Sequence, residues 1–425
     1  MSANITHNII FMGVVVLIAV AVFVGVQTYN TSKAEGFEDK GVPLAIQREK
    51  LIKRFDTMGE GKRPITELLA TNVMMESQQC FVNFYVLGCQ FTGYIGPFEF
   101  GYYDPDLAVK SAVKAGCRCF IIDIDYFDND ARKDNFIPYI VVRDKQNKLM
   151  FNPESMTKNA LKQNNIGELA RLINHYAFEV AQNKSDPVIL VLNFLRVPPG
   201  STKSKATLDY FARVAKGMGA LKDRMLQNEI HGGTYYRQKQ EGKLLINNIT
   251  DYTGKCLIFS NADTSGFTEN KTYAIDEDLD YMVNLRLSYN QTKIGATQKA
   301  GDKGQYGILQ SVEDYQFIPK DRQEDVIDNT KLQWTVCLSD DPSKPVSIAE
   351  YKKTAFTFGV HCIPIRIFED DNDFMFNEKL FKTYSYLPKP VSLRYIKPPI
   401  VIPGEPNPNT NANQGKLRSP TVGAN

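Results

Sequence analysis

The sequence predicts an α/β protein, a closed (β/α)8 barrel of the TIM type preceded by one N-terminal transmembrane helix. Two observations predict the barrel. Eight short runs rich in apolar and β-branched residues have the length of strands, and helical patterns lie between several of them. The alternative is an open doubly wound sheet, but no glycine-rich phosphate loop follows the first predicted strand. A long uncharged apolar run near the start predicts the membrane helix.

The bulk composition fits a globular protein and excludes one class of partner. The 425 residues have room for one large domain or two ordinary ones. Lysine and arginine number 50 against 48 aspartate and glutamate, so the net charge is +2 and nucleic acid is not an expected partner. Most of the 7 cysteines lie in apolar runs, so we expect buried thiols and no zinc site.

The N-terminal segment predicts a retained membrane anchor. Residues 9–26, IIFMGVVVLIAVAVFVGV, carry no charge, and as a helix they extend about 27 Å, close to the thickness of a hydrocarbon core. A cleaved signal peptide is the alternative, but the preceding MSANITHN has neither lysine nor arginine. We therefore predict an anchor over 1–30 and a single-pass membrane protein that contacts the membrane through residues 9–26. The flanking charges leave its orientation open.

The rest of the chain alternates helices, strands and polar insertions. A tether and a helix occupy 31–75, with helical spacing over 43–57. The predicted strands are 81–89, 118–125, 137–143, 187–193, 255–260, 281–288, 333–339 and 361–368. The helical patterns cover 105–115, 166–183, 207–228 and 347–357. Polar stretches predict loop insertions at 232–254, 262–280 and 289–330. The Pro- and Asn-rich 398–425 predicts a disordered tail.

Three segments carry a resemblance to a known family. They are AVKAGCRCFIIDID (112–125), NHYAF with DPVILVLNF (174–178 and 186–194), and FNEKLFKTYSYLPKPVSLR (376–394). Together they resemble the phosphatidylinositol-specific phospholipase C family, whose catalytic barrel has X and Y halves. The resemblance implies a PLC-like phosphodiesterase barrel with an X-like half over 76–262 and the end of a Y-like half over 331–397. An irregular insertion with the sixth strand occupies 263–330.

The resemblance also implies a catalytic site that this chain has lost. The family uses two histidines and a calcium ion, but none of the four histidines here stands at a matching position. The resemblance places Gln90 at one histidine position and Val142 and Asp144 in the segment of the other. A calcium-binding asparagine is replaced by Phe91 and a calcium-binding carboxylate by Ile121.

A residual calcium site is the open alternative to a barrel without cofactor. Asp123, Asp125 and Asn193 occupy the remaining metal positions, and the two aspartates share a strand face. Calcium prefers six or more oxygen ligands, mostly from carboxylates, so this set is small. We therefore predict no cofactor, with calcium as the alternative.

These features predict a membrane-anchored phospholipase-C-like barrel, a pseudoenzyme that acts as a structural or binding protein. A phospholipid headgroup is the expected ligand. The alternative is a phosphoric diester hydrolase with a remodelled site that uses Asp123, Asp125 and Asp144. The single anchor, the tether KAEGFEDKG (33–41) and the tail also resemble membrane proteins of large DNA viruses. That resemblance implies a place in a virion membrane, with viral structural proteins as partners.

Overall fold

The computed structural model describes residues 44–398, except 57–60, 72–73, 97–100, 132–134, 147, 151–164, 227–233, 268–269, 271, 290–306 and 370–379. The predicted anchor at 9–26, most of the tether and residues 399–425 lie outside the described residues. Within the described part, no helix is long and apolar enough to cross a membrane.

The described strands form one curled parallel sheet with additions at its two ends. In chain order they are β1 Phe84–Val86, β2 Gly88–Cys89, β3 Cys119–Asp125, β4 Tyr139–Ile140, β5 Val188–Phe194, β6 Cys256–Ser260, β7 Leu285–Tyr289, β8 Gly307–Ser311, β9 Trp334–Leu338 and β10 Tyr386–Pro388. Neighbours in the main sheet follow the order β2, β3, β5, β6, β7, β8, β9, and every pair in this order is parallel.

The sheet closes through the segment 362–365. A parallel bridge joins Val336 of β9 to Cys362, and another joins Cys89 of β2 to Ile365. The Gln90 N–H donates to the Ile365 carbonyl at 2.8 Å, and the Cys337 N–H donates to the Cys362 carbonyl at 3.0 Å. This segment is therefore the eighth member of the ring. The prediction of a parallel α/β barrel is confirmed and the open sheet is excluded.

One predicted barrel strand is wrong, and one strand of the barrel was not predicted. The run 137–143 contributes only β4, which pairs antiparallel with Ile124 and Asp125 at the end of β3. Its apolar residues are buried against the helix-facing core, so their hydrophobicity reflected burial and not membership of the barrel. The strand that completes the ring is β8, inside the stretch predicted to be a polar insertion.

The run 81–89 divides between two structures. Only β2 enters the barrel, while β1 pairs antiparallel with β10 near the C-terminus. The two short strands cover the amino-terminal end of the barrel, where Tyr85 and Tyr386 are buried.

Helices and helical turns connect the strands. The α-helices are α1 Leu44–Asp56, α2 Ile65–Thr71, α3 Pro105–Ala115, α4 Asp128–Ala131, α5 Ile166–Ile173, α6 Lys205–Gly217, α7 Thr234–Gln240, α8 Leu279–Met282, α9 Gln323–Leu332 and α10 Ile348–Lys352. Two π-helical segments, Asn174–Val180 and Lys353–Thr357, extend α5 and α10. Turns of 3-10 helix lie at Glu76–Gln78, Phe81–Asn83, Met218–Arg224, Leu244–Ile246, Ile249–Tyr252, Ser265–Phe267, Glu313–Phe317, Lys320–Arg322 and Val391–Leu393.

Helix α3 shows how the sequence sets these boundaries. The Asp104 carboxylate accepts from the Leu107 N–H, and Pro105 follows at the first helical position. Gly116 ends the helix with φ of 105°, in the left-handed region that favours glycine. The helix predicted over 105–115 is confirmed.

Strand alternation separates two apolar layers. One face of each strand packs against the helices, and Phe120, Ile122, Leu190 and Leu192 belong to that layer. The other face fills the barrel, with Cys119, Ile121, Ile189, Val191, Leu257, Phe259, Leu285, Leu287, Trp334 and Val336. All seven cysteines are buried free thiols, as predicted.

Candidate functional site

A polar layer lies directly above the apolar filling of the barrel. Along β3 the inward residues run Cys119, Ile121 and then Asp123, so the third position changes from apolar to acidic. The register places Asp123 beside Asn193 of β5, and Asn261 follows at the end of β6. Polar side chains at the carboxyl ends of neighbouring strands therefore form one row. In a parallel barrel this is the end at which ligands bind.

This row lines a cavity of about 310 Å³ at the mouth of the barrel. The volume is at the lower end of the range of small-molecule sites, about 300 to 1,000 Å³. The lining residues come from the ends of strands and the loops that follow them: Gln90, Phe91, Asp123, Arg143, Asp144, Asn193, Phe194, Leu195, Asn261, Leu309, Gln310, Ser311, Leu338, Ser339, Asp340 and Pro342.

Gln90 brings a buried amide to this cavity. Its side chain is 7% exposed, and within the described part of the chain its amide has no hydrogen-bond partner. The next residue, Phe91, has φ of 56°, the one positive φ outside glycine among the described residues. That left-handed turn takes the chain off the end of β2 immediately after Gln90. Backbone strain of this kind is concentrated at functional sites.

Asp123 is the buried carboxyl group of the mouth. It is 5% exposed, and its Oδ1 accepts from the Asn193 amide at 2.7 Å. Asn193 in turn accepts from the Asn261 amide at 2.8 Å. Burial raises the pKa of Asp123 to about 6, and the hydrogen bond from Asn193 opposes part of that rise. The other carboxylate oxygen, Oδ2, has no hydrogen-bond partner among the described residues and is open to a ligand.

Asp125 is fully buried and forms ion pairs with two arginines. The Arg196 guanidinium donates to both of its carboxylate oxygens, at 2.8 and 3.1 Å, and the Arg143 guanidinium also donates to it. The Tyr126 N–H donates to the same carboxylate at 2.7 Å. Two guanidinium groups therefore neutralise Asp125, which does not line the cavity.

The segment after β4 places Val142 and Asp144 differently. Val142 is buried in the helix-facing core, away from the cavity lining. Asp144 lines the cavity, and its carboxylate accepts from the Lys148 N–H at 2.7 Å. Arg143 lines the same cavity. The segment 141–144 is not part of a barrel strand, so strand alternation does not set the directions of these two side chains.

Glu313 organises the opposite rim, which sequence reasoning missed. Its carboxylate accepts from the Ser311 hydroxyl at 2.6 Å, the Ser339 hydroxyl at 3.1 Å and the Asp340 N–H at 3.0 Å. Burial alone would raise the pKa of Glu313, but these hydrogen bonds outweigh it and hold the pKa below its ordinary value. Ser339 and Asp340, which directly follow β9 (Trp334–Leu338), were the available signal for this rim.

Several solved structures have a fold similar to that of this chain. PLC21 of L. pealei superposes on 79% of this chain and 40% of its own length, with a TM-score of 0.51 and 17% identity. The chain has the fold of the phospholipase C barrels. PLC21 of S. officinalis covers 78% of this chain and 39% of its own, at a TM-score of 0.49 and 18% identity. The calcium-dependent phosphatidylinositol-specific phospholipase C of Streptomyces antibioticus covers 73% and 99%, at 0.43 and 9%.

Because these sequence identities are low, the similarity establishes a shared fold. This chain spans about two fifths of the length of the two PLC21 proteins, 40% and 39%. No family model and no curated protein matches the sequence. The resemblance stated from the sequence is thus confirmed at the level of the phospholipase-C-like barrel.

The residues at the metal positions of this phospholipase-C-like barrel do not fit a calcium ion. Asp123 offers one open carboxylate oxygen, and the Asn193 amide oxygen already accepts from Asn261. Asp125 is held by two arginines. In the described parts of the chain, no group of three or more His, Cys, Asp or Glu side chains is placed to hold a metal ion. Calcium requires more oxygen ligands than this arrangement offers.

The histidines that the structure describes lie away from the mouth. His175 is exposed and pairs with Glu179 at 2.9 Å. His361 is buried beside β1, where its Nδ1 accepts from the Thr335 N–H at 3.0 Å. Its Nε2 lies 2.8 Å from the Val82 carbonyl oxygen and 2.7 Å from Lys389 Nζ. His7 and His231 lie outside the described residues.

Proposed function

We propose that this chain is a membrane-anchored phospholipase-C-like barrel that binds a small ligand at its mouth and does not cleave phosphodiesters. One observation carries the proposal. A cavity lies at the carboxyl ends of the strands, and its described polar lining consists of amides, hydroxyls, one guanidinium and carboxyl groups. No histidine is among the described residues that line it.

Phosphodiester cleavage by general acid–base catalysis requires a group that takes a proton and another that gives one. Gln90 cannot accept a proton at neutral pH, although its amide can donate a hydrogen bond to a ligand and accept one. Val142 lies in the core, away from the cavity. Loss of one acid–base group typically reduces rates by about 10² to 10⁴, so absence of both supports a binding role.

A second candidate is a phosphoric diester hydrolase with a remodelled site. The pKa of about 6 for Asp123 favours this alternative, since a general base works best near the operating pH. Asp144 lies in the same cavity and is the available second carboxyl group.

A cleavage assay separates the two candidates. Phosphatidylinositol and its bisphosphate are incubated with the wild type, Asp123→Ala and Asp144→Ala over a range of calcium concentrations, and release of the soluble headgroup is measured. We expect no release above the protein-free baseline in any sample. Release by the wild type that Asp123→Ala abolishes would reject the binding role and favour the hydrolase.

Membrane attachment through residues 9–26 is part of the proposal. Deletion of 1–30 is expected to leave the chain in the soluble fraction, because the described barrel begins after the predicted tether. Retention of the shortened chain on membranes after a high-salt wash would contradict attachment through this segment alone.

We also propose a place in a virion membrane, with viral structural proteins as partners, on the resemblance of the anchor, the tether and the tail. Chemical cross-linking of the chain within purified particles tests it. Cross-links to capsid or envelope proteins support the placement, and absence of the chain from the particles contradicts it.

A further inference from the structure

The mouth offers a ligand two buried groups with open hydrogen-bonding capacity. The Gln90 amide is 7% exposed and has no partner within the described part of the chain. Asp123 is 5% exposed, and among the described residues only Asn193 donates to its carboxylate, at Oδ1, so Oδ2 is open to a ligand. Both groups line the same cavity, so a single ligand bound there can pair with each of them.

The hydrogen-bonding chemistry of Gln90 and Asp123 restricts the chemical class of ligand that can pair with both. A carboxylate accepts hydrogen bonds and an amide both donates and accepts. A hydroxyl group matches both, since it donates to the carboxylate and accepts from the amide. A fully ionised phosphate only accepts, so it leaves the open oxygen of Asp123 without a donor.

The charged groups that line the cavity also favour an uncharged ligand over a phosphate. The described lining residues include three carboxyl groups, those of Asp123, Asp144 and Asp340, and one guanidinium, that of Arg143. That guanidinium donates to Asp125 behind the cavity wall. No lysine is among the described lining residues.

Two further arginines, Arg196 and Arg366, donate to groups of the protein itself. Arg196 binds Asp125 and also Asp128 at 2.7 Å. Arg366 donates to the carbonyl oxygens of Pro342 and Lys344, at 2.5 and 2.6 Å. Neither Arg196 nor Arg366 is among the described residues that line the cavity, and the Nε edge of Arg143 is taken by Asp125.

We infer that the mouth of the barrel binds an uncharged, hydroxyl-rich ligand, a polyol or sugar ring, and selects against its phosphorylated form. The ligand class assumes the binding role proposed above. Its size follows from the cavity volume of about 310 Å³, which accommodates one ring and not a chain of sugars. The acidic lining repels a phosphate, and like charges placed against each other are a common source of specificity.

Pairs of ligands that differ by one phosphate test the inference. The probes are myo-inositol and myo-inositol 1-phosphate, glucose and glucose 6-phosphate, and glycerol and glycerol 3-phosphate. The full chain is titrated in micelles of a detergent without a sugar headgroup, and affinity is measured by calorimetry or by saturation-transfer NMR. We expect the uncharged member of at least one pair to bind more tightly, by about tenfold or more.

A double variant tests the origin of the selectivity. Asp144→Asn/Asp340→Asn neutralises two lining carboxylates and leaves Gln90 and Asp123 unchanged, so the preference for the uncharged member is expected to fall several-fold. Asp321→Asn is the matched control, because Asp321 is exposed and does not line the cavity, and it is expected to keep the wild-type ratio. Thermal unfolding of each variant verifies that it is folded.

The outcomes distinguish the ligand class from the binding role. If a phosphorylated probe binds as tightly as its uncharged partner or more tightly, selection against phosphate is wrong while the mouth remains a binding site. If no member of any pair binds at millimolar concentration, both the ligand class and the proposed binding role are contradicted. An unchanged ratio in the double variant would show that the lining carboxylates do not set the preference.

Discussion

At the scale of single residues, Gln90 and Asn83 show two uses of a buried amide. Asn83 is fully buried, and its side chain makes three hydrogen bonds of 2.7 Å, two to the carbonyl oxygens of Gln78 and Tyr395 and one from the Tyr395 N–H. Gln90 is nearly as buried and makes none to the described residues. The Gln90 amide faces the cavity and bonds to no described residue, so the fold does not depend on it.

The first prediction compares these two residues. Gln90→Leu is expected to leave the free energy of unfolding unchanged or to raise it by up to about 1 to 2 kcal/mol, because no partner is lost. Asn83→Leu is expected to lower it by about 2 to 4 kcal/mol, because its partners become unpaired. Urea denaturation measures both. Similar losses in the two variants would show that Gln90 has a structural role instead.

The second prediction concerns Asp123 and pH. Its pKa is raised from 3.8 to about 6 by burial, so the folded protein holds the proton more tightly than the unfolded chain. Its contribution to stability is therefore complete below pH 3.8 and is lost as pH rises from about 4 to 6. The loss is about 2 to 3 kcal/mol.

Asp123→Asn removes this loss. The variant is expected to be more stable than the wild type at pH 7 by about 2 kcal/mol, with the difference shrinking towards pH 4. Denaturant unfolding at pH 4, 5, 6 and 7 measures the difference, and Asp321→Asn serves as the exposed control. A difference that does not vary over this range would contradict the assignment of a buried, protonatable carboxyl group.

At the scale of elements, the contact between His361 and Lys389 joins the segment after β9 to the segment after β10. Nδ1 of His361 accepts from a backbone N–H, so the ring proton lies on Nε2. Burial, together with the nearby Lys389, lowers the pKa of His361 well below its ordinary value of 6.5. Burial likewise lowers the pKa of Lys389 well below its ordinary value. The histidine is therefore neutral, and its Nε2–H donates to the Val82 carbonyl oxygen at 2.8 Å.

The third prediction follows from that neutral histidine. Below pH 6.5 the unfolded chain protonates His361 while the folded chain does not, so stability falls as pH falls, by about 1.4 kcal/mol per pH unit. His361→Gln keeps an acceptor and a donor but does not titrate, so this contribution to the acid slope should disappear. Unfolding free energies at pH 7.5 and 5.5 measure it. His175→Gln, at an exposed site, is expected to keep the wild-type slope, and an equal change in both variants would contradict the prediction.

The fourth prediction concerns closure of the barrel. A Cβ on Gly88 would lie 2.5 Å from Cys362 Sγ and 3.1 Å from the Cys119 carbonyl oxygen, where β2 meets the closing segment. Gly88→Ala is expected to lower the free energy of unfolding by about 1 to 3 kcal/mol through overpacking. Gly219→Ala, where a Cβ would meet no atom within 4 Å, should change it by less than about 0.5 kcal/mol. Equal effects would show that closure does not depend on this contact.

At the scale of the whole molecule, the sequence predicted the barrel but not all of its strands. Strands β3 and β5 are buried on both faces, so their apolar runs were readable from composition alone. Strand β8 carries Gly307, Gln310 and Ser311 in five residues, so its hydrophobic signal was weak. The run 137–143 gave a strong signal because it packs against the helix-facing core.

Only part of the candidate site could be predicted from the sequence. Asp123 and Asn193 were named through the family resemblance, which placed them at residual metal positions on two predicted strands. The pairing of Arg143 and Arg196 with Asp125 depends on where two loops fold over the barrel, which no local pattern encodes. The role of Glu313 depends on β8 and was lost with that strand.

A titration of the wild type and Gln90→Leu, with whichever of myo-inositol, glucose and glycerol binds most tightly, tests whether the ligand lies at the mouth of the barrel. A ligand at the mouth contacts Gln90, whose replacement should leave the fold intact. We therefore predict saturable binding to the wild type and a loss of affinity of at least about tenfold in Gln90→Leu, or 1.4 kcal/mol. Equal affinity in the two proteins would contradict this placement, because the ligand would then lie elsewhere than at the mouth of the barrel.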